Sequence, residues 1–226
     1  MAKLYVVGTP IGNLKDITLR ALEALKSVEL ILCEDTRVTR KLLGAYDIAT
    51  KTISYHSHSG LAKVDKIVEL LRNGSNIALV SDAGTPAISD PGALLVARIR
   101  EELPEVSIVS IPGPSALTAG FSIAGVPTTD FLFLGFLPHK KGRGKLFNEI
   151  MESKRTVVFY ESPHRIMKTL EALNEKLDAT RTITIAREIT KIHEEVVSGS
   201  SMSVLTYFQN NPQNVRGEFV VLVSRV

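Results

Sequence analysis

The sequence predicts an α/β protein of two α/β domains: an N-terminal one with a mostly parallel sheet and helices on both faces, and a C-terminal one with a mixed sheet. Three observations predict this. Through the first half, short runs that are apolar at every position alternate with segments of helical periodicity, as strands buried on both faces between helices do. After a proline- and glycine-rich stretch from Pro112 to Pro127 the alternation lapses, and strands outnumber helices. The chain's 226 residues, 44% hydrophobic and 23% charged, suffice for two cores of ordinary domain size.

Taken in order, residues 4–7, 30–33, 52–55, 77–80 and 106–111 are the strands of the first half. Asp16 is placed to cap a helix that carries Ile17, Ala21, Leu25 and Val28 on one face. Val64, Ile67, Val68 and Leu71 repeat at the same spacing, as do Leu95, Val96, Ile99 and Leu103. In the second half, residues 131–137, 156–160, 182–186, 195–198 and 219–223 are strands. One strong helix carries Ile166, Leu170, Leu173 and Leu177, and a weaker one covers 145–152. The composition shift lies in 113–120, which sets the domains at 1–116 and 117–226.

Lysine and arginine number 27 against 24 acidic residues, a net charge of +3. That excludes a disordered tail and a general polycation, so any nucleic-acid contact is local. The positive excess lies entirely after residue 118. Cys33, the single cysteine, sits in an apolar run and fits a reducing compartment without disulfides. The N-terminus lacks the apolar stretch of a signal peptide, and the longest uncharged segment, 106–129, is broken by six prolines and glycines. The expectation is a cytoplasmic protein with no membrane partner.

Ligands of parallel α/β sheets bind at the carboxyl ends of the strands, so the loops there carry the functional signal. Two of them echo each other. Gly8-Thr9-Pro10-Ile11-Gly12-Asn13 follows the first strand, and Asp82-Ala83-Gly84-Thr85-Pro86-Ala87-Ile88-Ser89-Asp90-Pro91-Gly92 follows the fourth. Glycine allows close backbone approach and proline fixes the loop, so such loops can present main-chain groups to an adenosine or an amino-acid moiety. One such loop is as readily a tight turn; two at strand ends favour binding. Neither is a phosphate cradle or a dinucleotide fingerprint. No metal site is expected: His56 and His58 alternate as on a strand or a polar loop edge, and His139, His164 and His193 are scattered.

Further blocks are Tyr5-Val6-Val7, Cys33-Glu34-Asp35-Thr36-Arg37, Ile111-Pro112-Gly113-Pro114-Ser115-Ala116, Gly135-Phe136-Leu137-Pro138, Tyr160-Glu161-Ser162-Pro163-His164-Arg165 and Ala186-Arg187-Glu188. With the two loops, they make the whole chain resemble the tetrapyrrole-methylase superfamily of S-adenosylmethionine-dependent methyltransferases. Within it, the chain is similar to the bacterial subgroup that methylates a cytidine 2'-hydroxyl in 16S rRNA. The resemblance implies S-adenosylmethionine bound in a cleft between the domains, a homodimer, and the small ribosomal subunit as partner. It carries cofactor contacts onto Pro10, Asp82, Gly84, Thr85, Ile88, Ser115, Ala116, Leu137 and Ala186. Superfamily relatives often have Gly-Asp-Pro where this chain has Gly84-Thr85-Pro86, which leaves Asp82 and Thr85 as alternative side-chain contacts.

Methyl transfer to a ribose hydroxyl needs alignment of the reacting groups and help with a weakly acidic proton. The candidates at strand ends are Glu34 and Asp35 with Arg37, His56, Glu161 with Arg165, and Arg187 with Glu188. Each acid–arginine pair is equally readable as an ion pair pinning a loop. The preferred set is Glu34, Asp35, Arg37, His56 and Glu161, with Glu34 or Asp35 positioning the acceptor and Arg37 meeting phosphate. For RNA, Lys140, Lys141, Arg143 and Lys145 place four positive charges in a glycine-spaced, mobile loop, joined by Arg165. A corrin-type or protein acceptor and a non-catalytic RNA-binding module remain as alternatives.

Overall fold

Leu30, Ile31, Leu32 and Cys33 are all buried because the strand they form has a neighbour on either side and helices over both faces. This strand, β2 (Leu30–Cys33), belongs to a sheet with β1 (Lys3–Val7), β3 (Lys51–Ser54), β4 (Ile77–Leu79) and β5 (Ser107–Ile111). Their order is β3-β2-β4-β1-β5, and every pairing is parallel. The computed structural model describes residues 1–56, 59–88, 90, 92–127 and 129–225. His58, Ser89 and Pro91 of the motifs above lie outside the described residues. The chain divides into two units, Met1–Ser115 and Ala116–Val226.

Alternate residues of the strands serve opposite faces. Leu30 and Leu32 join Leu4, Ile77 and Leu79 beneath α3 (Leu61–Arg72) and α4 (Gly92–Glu102), which supply Ile67, Val68, Leu71, Leu95 and Ile99. Ile31 and Cys33 join Val7, Ala78 and Ile111 beneath α1 (Leu19–Ser27) and α2 (Thr36–Ala45), which supply Ala21, Leu25 and Leu43. The cap of α1 is Thr18, whose hydroxyl accepts from the Ala21 N–H at 3.1 Å, and not Asp16. Asp16 instead ends a 3₁₀ turn, Leu14–Asp16, and extended residues Ile17 and Thr18 follow it. Helix α2 is an addition to the predicted elements. Its three cations and three β-branched residues obscure the periodicity, and it is Asp35, accepting from the Arg37 N–H at 2.8 Å, that starts it.

The second unit has a mixed sheet of β6 (Phe131–Phe136), β7 (Thr156–Glu161), β10 (Phe219–Arg225), β8 (Arg181–Arg187) and β9 (Glu195–Gly199), in that order. Only the β6–β7 pair is parallel. One face packs on α6 (Arg143–Glu152), α7 (Ile166–Lys176) and α8 (Ser201–Asn210) through Phe147, Ile150, Leu170, Leu173, Val204 and Phe208. The other face receives α5 (Ala116–Ala124), where a Cβ on Gly120 would lie 3.0 Å from Val220 Cγ1. Helices α5 and α8 are further additions; α5 is apolar all round, so it carries no amphipathic period. Arg181, 3% exposed, donates to the carbonyls of Ile150, Met151 and Ser153 at the end of α6 and to Val223 and Ser224 of β10. Its guanidinium thus satisfies the last carbonyls of α6, where a cation is also favoured by the helix dipole.

At the carboxyl end of the first sheet, backbones touch. A Cβ on Gly8 would stand 2.8 Å from Gly113 Cα, whereas Gly44 in α2 has nothing within 4 Å of that position. Gly8→Ala should therefore destabilise the protein by roughly 2–4 kcal/mol, and Gly44→Ala should stabilise it by about 0.5–1 kcal/mol. Opposite shifts of the urea midpoint check both.

Candidate active site

The two Gly-Thr-Pro loops are joined to each other. The Thr9 N–H donates to the Gly84 carbonyl at 2.9 Å, and the Gly84 N–H returns a bond to the Thr9 carbonyl at 3.1 Å. The buried Thr9 hydroxyl also lies within hydrogen-bond reach of the Ser81 and Gly84 carbonyls, and Ser81 Oγ donates to Ala83 and Gly84. The third loop joins through Thr85 Oγ1, which donates to the Pro114 carbonyl at 3.2 Å, and through the Gly8 N–H, which donates to Ile111. Pro10, Gly84, Thr85 and Ser115 thus stand on one continuous piece of fixed backbone. Gly84 takes a φ of +82° and Ala87 one of +71°, a conformation uncommon for a residue with a Cβ. Ile88 leaves 44% of its surface exposed.

Strands β2 and β4 are neighbours, and the residues that follow them bind one another. The Asp35 N–H donates to Asp82 Oδ1 at 2.9 Å, and the Asp82 N–H donates to Glu34 Oε1 at 3.4 Å. The carboxylates of this corner behave differently. Asp35 accepts from Arg37 through both oxygens, with the closest contact at 2.6 Å, and this guanidinium holds its pKa down at about 2. Burial pushes the Glu34 carboxyl up, opposed by the Asp82 N–H and reinforced by the charges of Asp82 and Asp90. His56 leaves the adjacent strand at the same sheet end, since the Tyr55 N–H donates to the Cys33 carbonyl at 2.7 Å. Glu34, Asp35, Arg37, His56 and Asp82 therefore share one corner of the first unit.

Glu161 lies in the second unit and is 0% exposed. Its Oε1 meets Arg165 Nη2 at 2.7 Å, and its Oε2 accepts from the Thr169 hydroxyl at 2.8 Å with Arg143 Nη2 at 3.5 Å. The two arginines pass this hold on to backbone: Arg165 donates to the Leu137 carbonyl at 2.6 Å, and Arg143 to Pro138 at 3.4 Å. Arg143 also lies over the Phe147 ring. The predicted basic loop is thus half turn and half helix, because Arg143 begins α6 behind the left-handed Gly142. Lys140, Lys141 and Lys145 are exposed. Leu137 and Ala186 are buried, Ala186 between β9 and β10, and Ala116 opens α5.

The expected Arg187–Glu188 pair is absent among the described residues: Arg187 is the last residue of β8, and Glu188 leaves the strand with a left-handed φ of +50°. Arg187 instead reaches its register partner Glu195 at 2.7 Å, and Glu188 meets Lys191. Glu195 also accepts from Tyr207 and Asn214, a four-residue cluster whose members lie too far apart in sequence to be predicted. A cavity of about 260 Å³ beside α2, lined from the loops after β1 and β4, was not predicted either. It needs the strand order, which no local pattern encodes.

The profile of the tetrapyrrole (corrin/porphyrin) methylases matches residues 3–204. The ribosomal RNA small subunit methyltransferase I of Thermotoga maritima is 44% identical over 99% of this chain and 99% of its own. That of Neisseria meningitidis is 46% identical over 97% and 75%. Among solved structures, the cobalt precorrin-4 methyltransferase CbiF superposes with a TM-score of 0.69 at 19% identity, covering 98% of this chain and 94% of that one. The methyltransferase CobJ does so with 0.70 at 21%, covering 100% and 95%. The fold thus recurs at low identity, and the identity to the small-subunit methyltransferases extends along nearly the whole chain. This chain belongs to the tetrapyrrole methylases.

Proposed function

We propose that this protein is an S-adenosylmethionine-dependent methyltransferase that modifies the ribose 2'-hydroxyl of a cytidine in 16S rRNA, working as a homodimer on the small ribosomal subunit in the cytoplasm. The observation that carries this is the 44% identity to the Thermotoga small-subunit methyltransferase along 99% of both chains, which leaves no domain of that relative unmatched. Among the described residues no helix is long and apolar enough to cross a membrane.

The loops of the first unit fit the cofactor. Backbone held in the left-handed region at Gly84 and Ala87, beside the exposed apolar side chain of Ile88, offers main-chain groups whose positions are already set. Gly84, Thr85, Ile88 and Ser115 are the residues of the first unit that this reading assigns to the cofactor. S-adenosylmethionine supplies a methyl group on a positively charged sulfur. The chain must then hold the acceptor oxygen in line and take up its proton. Glu34 is the carboxylate suited to the proton, because burial makes it the more basic of the corner pair. Asp35 is not, since its charge is committed to Arg37 and to the first turn of α2.

Lys140, Lys141 and Lys145 surround the start of α6, whose first-turn N–H groups have no side-chain cap. An uncapped helix start among lysines binds RNA phosphate. Arg143 and Arg165 act behind them, as the struts that tie Glu161 to the Leu137-Pro138 backbone.

Glu34→Gln should lower kcat by about 10²–10⁴-fold with S-adenosylmethionine affinity retained in calorimetry. Asp35→Ala should lower the urea midpoint through loss of the helix cap with a much smaller change in kcat. Because the Glu34 carboxyl is raised, the wild-type rate should climb with pH along a limb above the ordinary carboxylate range, and Glu34→Gln should abolish that limb. Neutralising Lys140, Lys141 and Lys145 together should reduce the slope of log K for rRNA against log salt by about 2–3, read by filter binding.

A further inference from the structure

The first unit contains a cavity between α2 and the loops that follow β1 and β4. Helices α1 and α2 lie on one face of the sheet and α3 and α4 on the other, so β4 differs from both neighbours, β1 and β2, in the face to which its following helix turns. Ligand sites of open α/β sheets form at such reversals, outside the carboxyl ends of the strands. The cavity of about 260 Å³ is there, walled by Pro10 and Ile11 from the loop after β1 and by Val38 and Leu42 of α2, with Asp82 and Lys41 among its polar groups. Sites for drug-sized ligands run to about 300–1,000 Å³, so this one suits a single flat ring system and not a macrocycle.

Its edges are polarised. Asp82 is exposed, and only one of its oxygens is engaged, by the Asp35 N–H; Oδ2 accepts no hydrogen bond among the described residues. On α2, Arg40 and Lys41 are exposed and make no salt bridge among the described residues, while Arg37 is already paired with Asp35. A ring-sized cleft with apolar walls, one free carboxylate oxygen and a cationic helix beside it has the chemistry of a flipped-out nucleotide site. The walls take the ring, the carboxylate accepts from an exocyclic amine, and the cations meet the flanking phosphates.

Resting on the methyltransferase reading above, we infer that this cavity receives the amine-bearing base of an RNA nucleotide, read by Asp82 and steadied by Arg40 and Lys41. Asp82 then belongs to the acceptor and Thr85 to the cofactor side.

The test measures methyl transfer from labelled S-adenosylmethionine to unmethylated small ribosomal subunits, with cofactor affinity determined separately by calorimetry. Val38→Phe fills the cavity from an exposed position of α2 and should raise KM for subunits about tenfold or more while leaving cofactor affinity unchanged. On subunits carrying uridine in place of the target cytidine, Asp82→Asn offers an amide donor to the new carbonyl and should cut the preference for cytidine about tenfold or more. Arg40→Gln with Lys41→Gln should flatten the salt slope of subunit binding by about 1–2. An unchanged KM for Val38→Phe together with an unchanged base preference for Asp82→Asn overturns the inference. So does loss of cofactor affinity in Val38→Phe, which would assign the cavity to the cofactor. If the wild-type protein transfers no methyl to subunits, the functional reading itself fails, and this inference with it.

Discussion

The reciprocal pair of backbone bonds between Thr9 and Gly84 is the constraint on which the candidate site depends. It crosses from the loop after β1 to the loop after β4, two neighbouring strands more than seventy residues apart in the chain, and locks their Gly-Thr-Pro segments face to face. The approach of Gly8 to Gly113 adds the loop after β5 from the other side. None of these contacts uses a side chain that a ligand would need. The recurring residue types follow from this: glycine where backbones meet, threonine where a hydroxyl bonds a carbonyl of the adjacent loop, proline where no N–H is left to satisfy. Ligand recognition can then fall to main-chain groups whose positions are already set, which lowers the ordering cost of binding.

The charges divide by residue type. Arginines do structural work inside: Arg181 binds five backbone carbonyls, Arg187 bridges to Glu195, and Arg143 and Arg165 share Glu161. The planar fork of the guanidinium permits several fixed bonds at once, which the lysine ammonium cannot match. Lysines 41, 140, 141 and 145 stand exposed at the surface. Counting charges along the sequence therefore overstates the exposed cations of the second unit, where Arg143 is committed to Glu161. The half that balances to zero carries Arg40 and Lys41 exposed on α2 without a salt bridge among the described residues.

The fold was legible wherever a pattern was local and strongly periodic. Each strand of both sheets came from an apolar run, and α3, α4 and α7 came from their spacing, because burial on one face leaves a period in the chain. What escaped notice was set by the sheet. Helix α2 shows its cations before its apolar side, α5 is apolar on every side, and the start of α1 moved because an intervening 3₁₀ turn took the aspartate. At the site, Glu34, Asp35 and Asp82 were each visible as strand-end acids. That Asp35 binds Asp82 while Asp82 binds Glu34 follows from β2 lying next to β4, a fact of topology that residue spacing does not contain.

That adjacency also separates two carboxylates that look equivalent in sequence. Glu34 and Asp35 are consecutive, leave the same strand and face the same loop, yet one is raised by burial and by the charges of Asp82 and Asp90 while the other is held down at about 2 by Arg37. The helix cap makes the difference. To start α2, Asp35 must turn toward the first N–H groups of the helix, and there Arg37 folds back onto it. Glu34 is partly buried near Asp82 and Asp90, with the Asp82 N–H as its backbone donor. The same turn that commits Asp35 to structure also starts α2, whose Val38 and Lys41 line the cavity beside it. One capping interaction thus separates the behaviour of two adjacent carboxylates and begins the helix that walls the cavity.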